Sequence, residues 1–153
     1  MLSLYSLIHV VAAVIWVGGM FFAYTCLRPA AGALLEPPQR LTLWVAVFKR
    51  FFPYVWLSVL LLPATGYLMV FAIWNGFANA PLYVHIMNGL GILMLLIYMH
   101  VYFAPFNRLK MAVNEQNWPV GAKALAQIRI LVGINTVLGL LVVIVASAGR
   151  LYV

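Results

Sequence analysis

The sequence predicts an all-α integral membrane protein, a four-helix bundle of up-down-up-down topology. Three observations predict it. The chain is 67% hydrophobic and only 7% charged, whereas a soluble domain carries about 25% charged residues. Its apolar residues gather into four long runs almost free of charge, and its basic residues gather in two of the three connectors between them. A chain of 153 residues is one domain's worth, so residues 1–153 read as a single transmembrane domain.

Each apolar run is long enough to cross a hydrocarbon core, which takes about 20 residues of helix. The first covers about 4–27 and closes at Arg28-Pro29. The second covers about 51–74 and follows the basic pair Lys49-Arg50. The third covers about 82–103 and closes at Pro105. The fourth covers about 124–148, with Arg129 near its start and Gly149-Arg150 after it. Helices rather than strands are required, because each run must satisfy its own backbone hydrogen bonds in lipid. The opening segment MLSLYSLIH has no basic stretch ahead of its apolar run, so that run reads as a retained span rather than a cleaved signal.

Charge sets the expected orientation. Connector one holds Arg28, Arg40, Lys49 and Arg50 against Glu36, and connector three holds Arg108, Lys110 and Lys123 against Glu115. Connector two, Asn75 to Pro81, has no charge. Lysine and arginine collect in short cytoplasmic loops. Connectors one and three are therefore expected inside, and both termini in the periplasm of a bacterial-type inner membrane. The net charge of +7 then reads as topology plus attraction to anionic headgroups, not as nucleic-acid binding. Tyr5, Trp74, Tyr83 and Tyr152 mark the expected outer boundary, and Trp44, Tyr54, Tyr102 and Trp118 the inner one, as an aromatic belt does. The stretch LTLWVAVFKRFF in connector one reads as an interfacial segment leading into span two.

Three histidines stand out, because an ionisable side chain within a span is costly and marks function. His9 lies about a turn and a half into span one, and His85 about a turn into span three. These spans run in the same direction, so the two imidazoles are expected at similar depth near the outer face. His100 follows His85 by 15 residues, about 22 Å deeper and turned by about 60°. Facing helices of a bundle can build a cofactor site in its core. His9 and His85 therefore form the candidate axial pair for haem iron, a role imidazole fills elsewhere. His100 is the candidate ligand of a second site. The alternative is that each histidine is structural, hydrogen-bonding across helices.

Copper is the second candidate, since thioether and imidazole suit Cu(I) and seven methionines are present. Methionine is also common filler in apolar helices, and no MxxM cluster lies within a span. The single cysteine, Cys26, excludes an intrachain disulfide and a CxxC metal site. Gly18-Gly19 is expected to allow close helix approach, and Pro63 to kink span two. Asn88 and Asn135 each need an interhelical partner. Both carboxylates, Glu36 and Glu115, lie in connectors, which excludes an intramembrane carboxylate relay.

The residues His9, Trp16, Gly18 and Gly19 in IHVVAAVIWVGGMFF, with Thr65-Gly66 and the tail Asn107-Arg108-Leu109-Lys110, resemble the copper-resistance protein D (CopD) family. The YVHIM and YMH segments around His85 and His100 are similar to HemJ-type protoporphyrinogen oxidases, small four-span proteins that bind haem b. Met87 stands where that pattern carries lysine. Together the resemblances imply a haem b-binding redox or electron-transfer protein, an oxidoreductase acting through HemJ-like protoporphyrinogen oxidation or quinol-linked electron transfer. His9, His85 and His100 would be its ligands, and a quinone or a redox protein its partner. One alternative is copper uptake or tolerance. Another is a non-catalytic subunit within a homo- or hetero-oligomeric membrane complex.

Overall fold

A computed structural model describes residues 1–151. Among them every regular element is helical. Helix α1 (Leu2–Phe22) continues through a π-helical turn (Ala23–Leu27) into α2 (Arg28–Leu34). The widened turn sits just before Pro29, whose ring lacks an N–H and would crowd the carbonyl four residues back in a regular helix. Helix α3 runs from Pro37 to Trp74, and α4 from Leu82 to Phe103. Helix α5 (Pro105–Asn114) is short, and α6 (Trp118–Gly149) completes the chain. Four helical stretches are long and apolar enough to cross a membrane: Leu2–Leu34, Pro37–Trp74, Leu82–Asn114 and Trp118–Gly149. The all-α membrane bundle read from the sequence is the architecture found.

The connection between α3 and α4 is tight. Asn75 caps α3 in the left-handed conformation and Gly76 follows at φ 121°, which glycine adopts without steric cost. One end of the bundle holds this link, the start of α1 and the end of α6. The other carries Arg28, Arg40, Lys49, Arg50, Arg108, Lys110 and Lys123. These are called below the neutral and the basic end.

Lipid supplies no hydrophobic drive to pack one helix on another, so small residues and polar contacts hold such bundles. Here α1 packs closely on α3, and α4 on α6. Gly19 lies directly under the Phe51 ring, where any Cβ would collide. Gly139 lies against Val17 and Met94, and Gly149 against Tyr83. Gly18 faces open space, so only the second glycine of that pair serves close approach. The backbones of α3 and α4 stand further apart and are bridged by aromatic rings. Phe52 meets Tyr98 edge-on at 5.5 Å, and Trp56 meets Tyr98 and Tyr102, each at 5.3 Å.

Three side chains also bond to backbone across helices. Ser58 donates to Ala12 O at 3.1 Å, Tyr98 to Phe52 O at 3.2 Å, and Asn135 Nδ2 to Met94 O at 3.2 Å. Such bonds contribute about 0.6 kcal/mol each on average in membranes. The partners expected for the two asparagines are thus present: Asn135 reaches Met94, and Asn88 accepts from Tyr67 at 3.1 Å.

The basic end differs from its sequence reading. LTLWVAVFKRFF is not a separate interfacial segment but part of α3, which runs unbroken from Pro37. Leu41, Trp44, Val45, Phe48 and Phe52 form one buried stripe at the spacing of an amphipathic helix face. Lys49 and Arg50 are exposed beside it. Trp44, expected in the inner belt, is 6% exposed and belongs to the core. Tyr54 is 59% exposed and suits a belt. Tyr152 lies outside the described residues. Connector three contains α5, whose Phe106 and Leu109 are buried. Pro53 and Pro63 both lie within α3, and the helix continues through them.

Candidate functional site

The site begins where α1 crosses α3 in the neutral half of the bundle. His9 projects from α1 onto the Thr65-Gly66 step of α3. Its Nδ1 lies 2.8 Å from Thr65 Oγ1, and its Cε1 lies 3.1 Å from where a Cβ on Gly66 would stand. Glycine at position 66 therefore makes room for the edge of the imidazole. The Thr65 hydroxyl also lies 2.6 Å from Leu61 O.

Both contacts can be made at once. A threonine hydroxyl has one proton and two acceptor lone pairs. Leu61 O can only accept, so with the Thr65 proton placed on it Oγ1 is left to accept from His9. His9 then carries its proton on Nδ1, and Nε2 keeps a free lone pair. Holding one ring nitrogen so that the other can ligate is how outer partners orient metal-binding histidines. His9 is half-buried and Thr65 buried, which holds the pair in place.

The other two histidines lie apart from it. His85 is exposed on the first turn of α4, its ring centroid 5.9 Å from that of Phe77. Phe77 in turn meets Tyr67 at 5.5 Å. No hydrogen bond or ring contact joins His9 to His85 among the described residues. His100 is exposed near the basic end, where its carbonyl accepts from Ala104 N at 3.0 Å. No group of three or more His, Cys, Asp or Glu side chains gathers as a metal cage among the described residues.

The model of the Copper resistance protein D family matches residues 45–148, more than half of the chain. The chain belongs to that family. No curated protein and no solved structure gives a significant match. In this Copper resistance protein D family member the matched stretch holds Thr65, Gly66, His85 and His100. His9, Trp16, Gly18 and Gly19 precede it.

Haem b between His9 and His85 would need both imidazoles on one cavity. Two cavities of the bundle, of about 320 and 280 Å³, have no histidine in their walls. His9 is half-buried against α3 and His85 is exposed on α4, and neither imidazole lines these two cavities. Thr65 is the site residue that sequence reasoning left without a role. Its signal was the Thr-Gly step, which gains meaning only once α1 lies across α3.

Proposed function

We propose that this Copper resistance protein D family member handles copper as cargo in the bacterial inner membrane, with both termini in the periplasm. His9 is the imidazole that receives copper(I) toward the periplasmic end of the α1–α3 seam. The Thr65 hydrogen bond carries this reading, because it leaves His9 Nε2 as a lone pair held at a half-buried position. Imidazole and thioether together suit copper(I). Met69 lies one helical turn from Thr65 on the same side of α3 and is half-buried, so it offers the soft sulfur at that end. His85, exposed at the same end, is the second imidazole of this reading, and His100 serves the cytoplasmic side. The asymmetry of lysine and arginine between the connectors supports the orientation.

The test is a copper(I) competition assay on the detergent-purified chain against a chromogenic chelator. His9→Ala is expected to weaken binding by at least the roughly 10–100-fold that outer-shell changes alone cost at metal sites. Unchanged affinity in His9→Ala would sink the assignment. An absorption spectrum of the oxidised and dithionite-reduced protein separates the remaining reading. A sharp reduced α band would replace copper cargo with b-type haem and a redox role.

A further inference from the structure

The basic end holds a cavity that the copper reading does not use. It has a volume of about 280 Å³ and is walled by α2, α3, α6 and the π-helical turn. Arg28, Arg40 and Arg129 all line it, from three different helices, and no acidic residue does. The Arg28 guanidinium lies 4.3 Å from the centre of the Tyr24 ring. Stacking by cation–π attraction fixes its plane and leaves its N–H edges free for an anion. One turn further along α2, the wall is open at Gly32, where a Cβ would meet nothing within 4 Å. Three unneutralised guanidinium groups converging on one cavity repel one another, so the arrangement is favourable when an anion sits between them.

The cavity does not end at the arginines. Ala23, Phe48 and Val132 line it and also line the cavity of about 320 Å³ that runs on toward the middle of the bundle. That second space is walled almost wholly by apolar side chains. Of its lining residues only Phe22 is exposed, at 59%, so its mouth lies on the lipid-facing side of α1. A cationic chamber thus shares a wall with an apolar space that reaches the lipid-facing side of α1. Basic pockets between membrane helices recognise anionic lipid heads, and here room for a chain adjoins the pocket.

We propose that Arg28, Arg40 and Arg129 bind the phosphate of one anionic phospholipid, with an acyl chain lying past Phe48 and Val132 and emerging at Phe22. The lipid is a stoichiometric ligand rather than part of a diffuse annulus. It closes the space between the basic ends of α2, α3 and α6.

Native mass spectrometry on the full delipidated chain tests this, with phosphatidylglycerol and phosphatidylcholine of identical chains added in turn. One phosphatidylglycerol is expected to bind per chain, ahead of a weaker graded series, and phosphatidylcholine is expected to show only the graded series. Each arginine near a phosphate is expected to contribute roughly fivefold, so the Arg28→Gln, Arg40→Gln, Arg129→Gln triple variant should lose on the order of a hundredfold. Arg→Lys at the same three positions keeps the charge and is expected to retain the preference, which separates loss of a site from loss of fold. Val132→Phe adds bulk to the wall that the two cavities share. It should weaken phospholipid while leaving inorganic phosphate able to compete with a headgroup-only glycerophosphate probe. Equal retention of both lipids, or wild-type binding by the triple Gln variant, would overturn the proposal. Phosphatidylglycerol binding unaffected by Val132→Phe would reduce the site to one for phosphate alone and overturn the chain's placement.

Discussion

Replacing Thr65 by valine removes one oxygen from the bundle and tests the His9 arrangement directly. Valine keeps the branched shape and α3 its helix, but nothing remains to accept the His9 Nδ1 proton. Leaving a buried donor unpaired costs about 1–3 kcal/mol. His9 is only half-buried, so the lower part of that range applies to stability. The effect on copper is larger, because the ring can now turn or move its proton to Nε2 and occupy the lone pair that would ligate. Losing an outer partner of a metal-binding histidine lowers affinity by roughly 10–100-fold, which is about 1.4–2.7 kcal/mol. Thr65→Ser restores the oxygen and should restore affinity. The assay is copper(I) competition alongside nitrogen NMR of the imidazole, which reports the Nδ1–H tautomer in the parent chain. Wild-type affinity in Thr65→Val, or an Nε2–H tautomer in the parent, would refute the reasoning.

Two further substitutions probe the packing. At Gly139 a Cβ would stand 2.8 Å from Val17 Cγ2 and 3.2 Å from Met94 Cε, so Gly139→Ala should destabilise by about 1–3 kcal/mol, as overpacking does. Gly18→Ala meets nothing and should be neutral or stabilising by up to about 1 kcal/mol from helix propensity; unfolding in mixed detergent with increasing denaturant ranks the pair, and equal losses would contradict the seam. Asn135 is 3% exposed and its Oδ1 has no partner, while Nδ2 reaches Met94 O. Asn135→Leu gives up that bond and also removes the unpaired oxygen, so the same assay should show a change within about 1 kcal/mol, and a loss beyond about 2 kcal/mol would mean that the oxygen is satisfied in the membrane.

The four spans were legible because lipid admits few solutions to the backbone's hydrogen bonds, and a run of apolar residues declares itself without reference to any neighbour. The basic end was not. Lys49 and Arg50 mark a boundary in a hydropathy reading, yet both sit on the exposed side of a helix whose other side buries Trp44 and Phe48. Charge reports the polarity of a face, and only the stripe Leu41, Trp44, Val45, Phe48 shows that the helix continues. His9 was legible as an ionisable group in lipid. Its partner was not, since the register between α1 and α3 places Thr65 there and register is set by Gly19 against Phe51 and Gly66 against the imidazole. Arg28, Arg40 and Arg129 read individually as topology charges. Their convergence on one cavity depends on three helices meeting, which no single segment encodes.

The length of α3 has a consequence for how the molecule floats. A helix of 38 residues is a rod of about 57 Å, and a hydrocarbon layer of about 30 Å leaves nearly half of it to be placed elsewhere. The tight turn after Trp74 gives the neutral end no room for the surplus, so it stands at the basic end, packed against α5 and α6. The protein therefore has a keel. Lys49 and Arg50 sit at its waterline, and sinking them into oil as a bilayer thickens is resisted by their charge, while lifting the keel out is resisted by the buried stripe that binds it to α5 and α6. Charge on one side and the buried stripe on the other thus oppose movement of the chain along the membrane normal, and a mismatch in thickness falls to the surrounding lipid or to helix tilt.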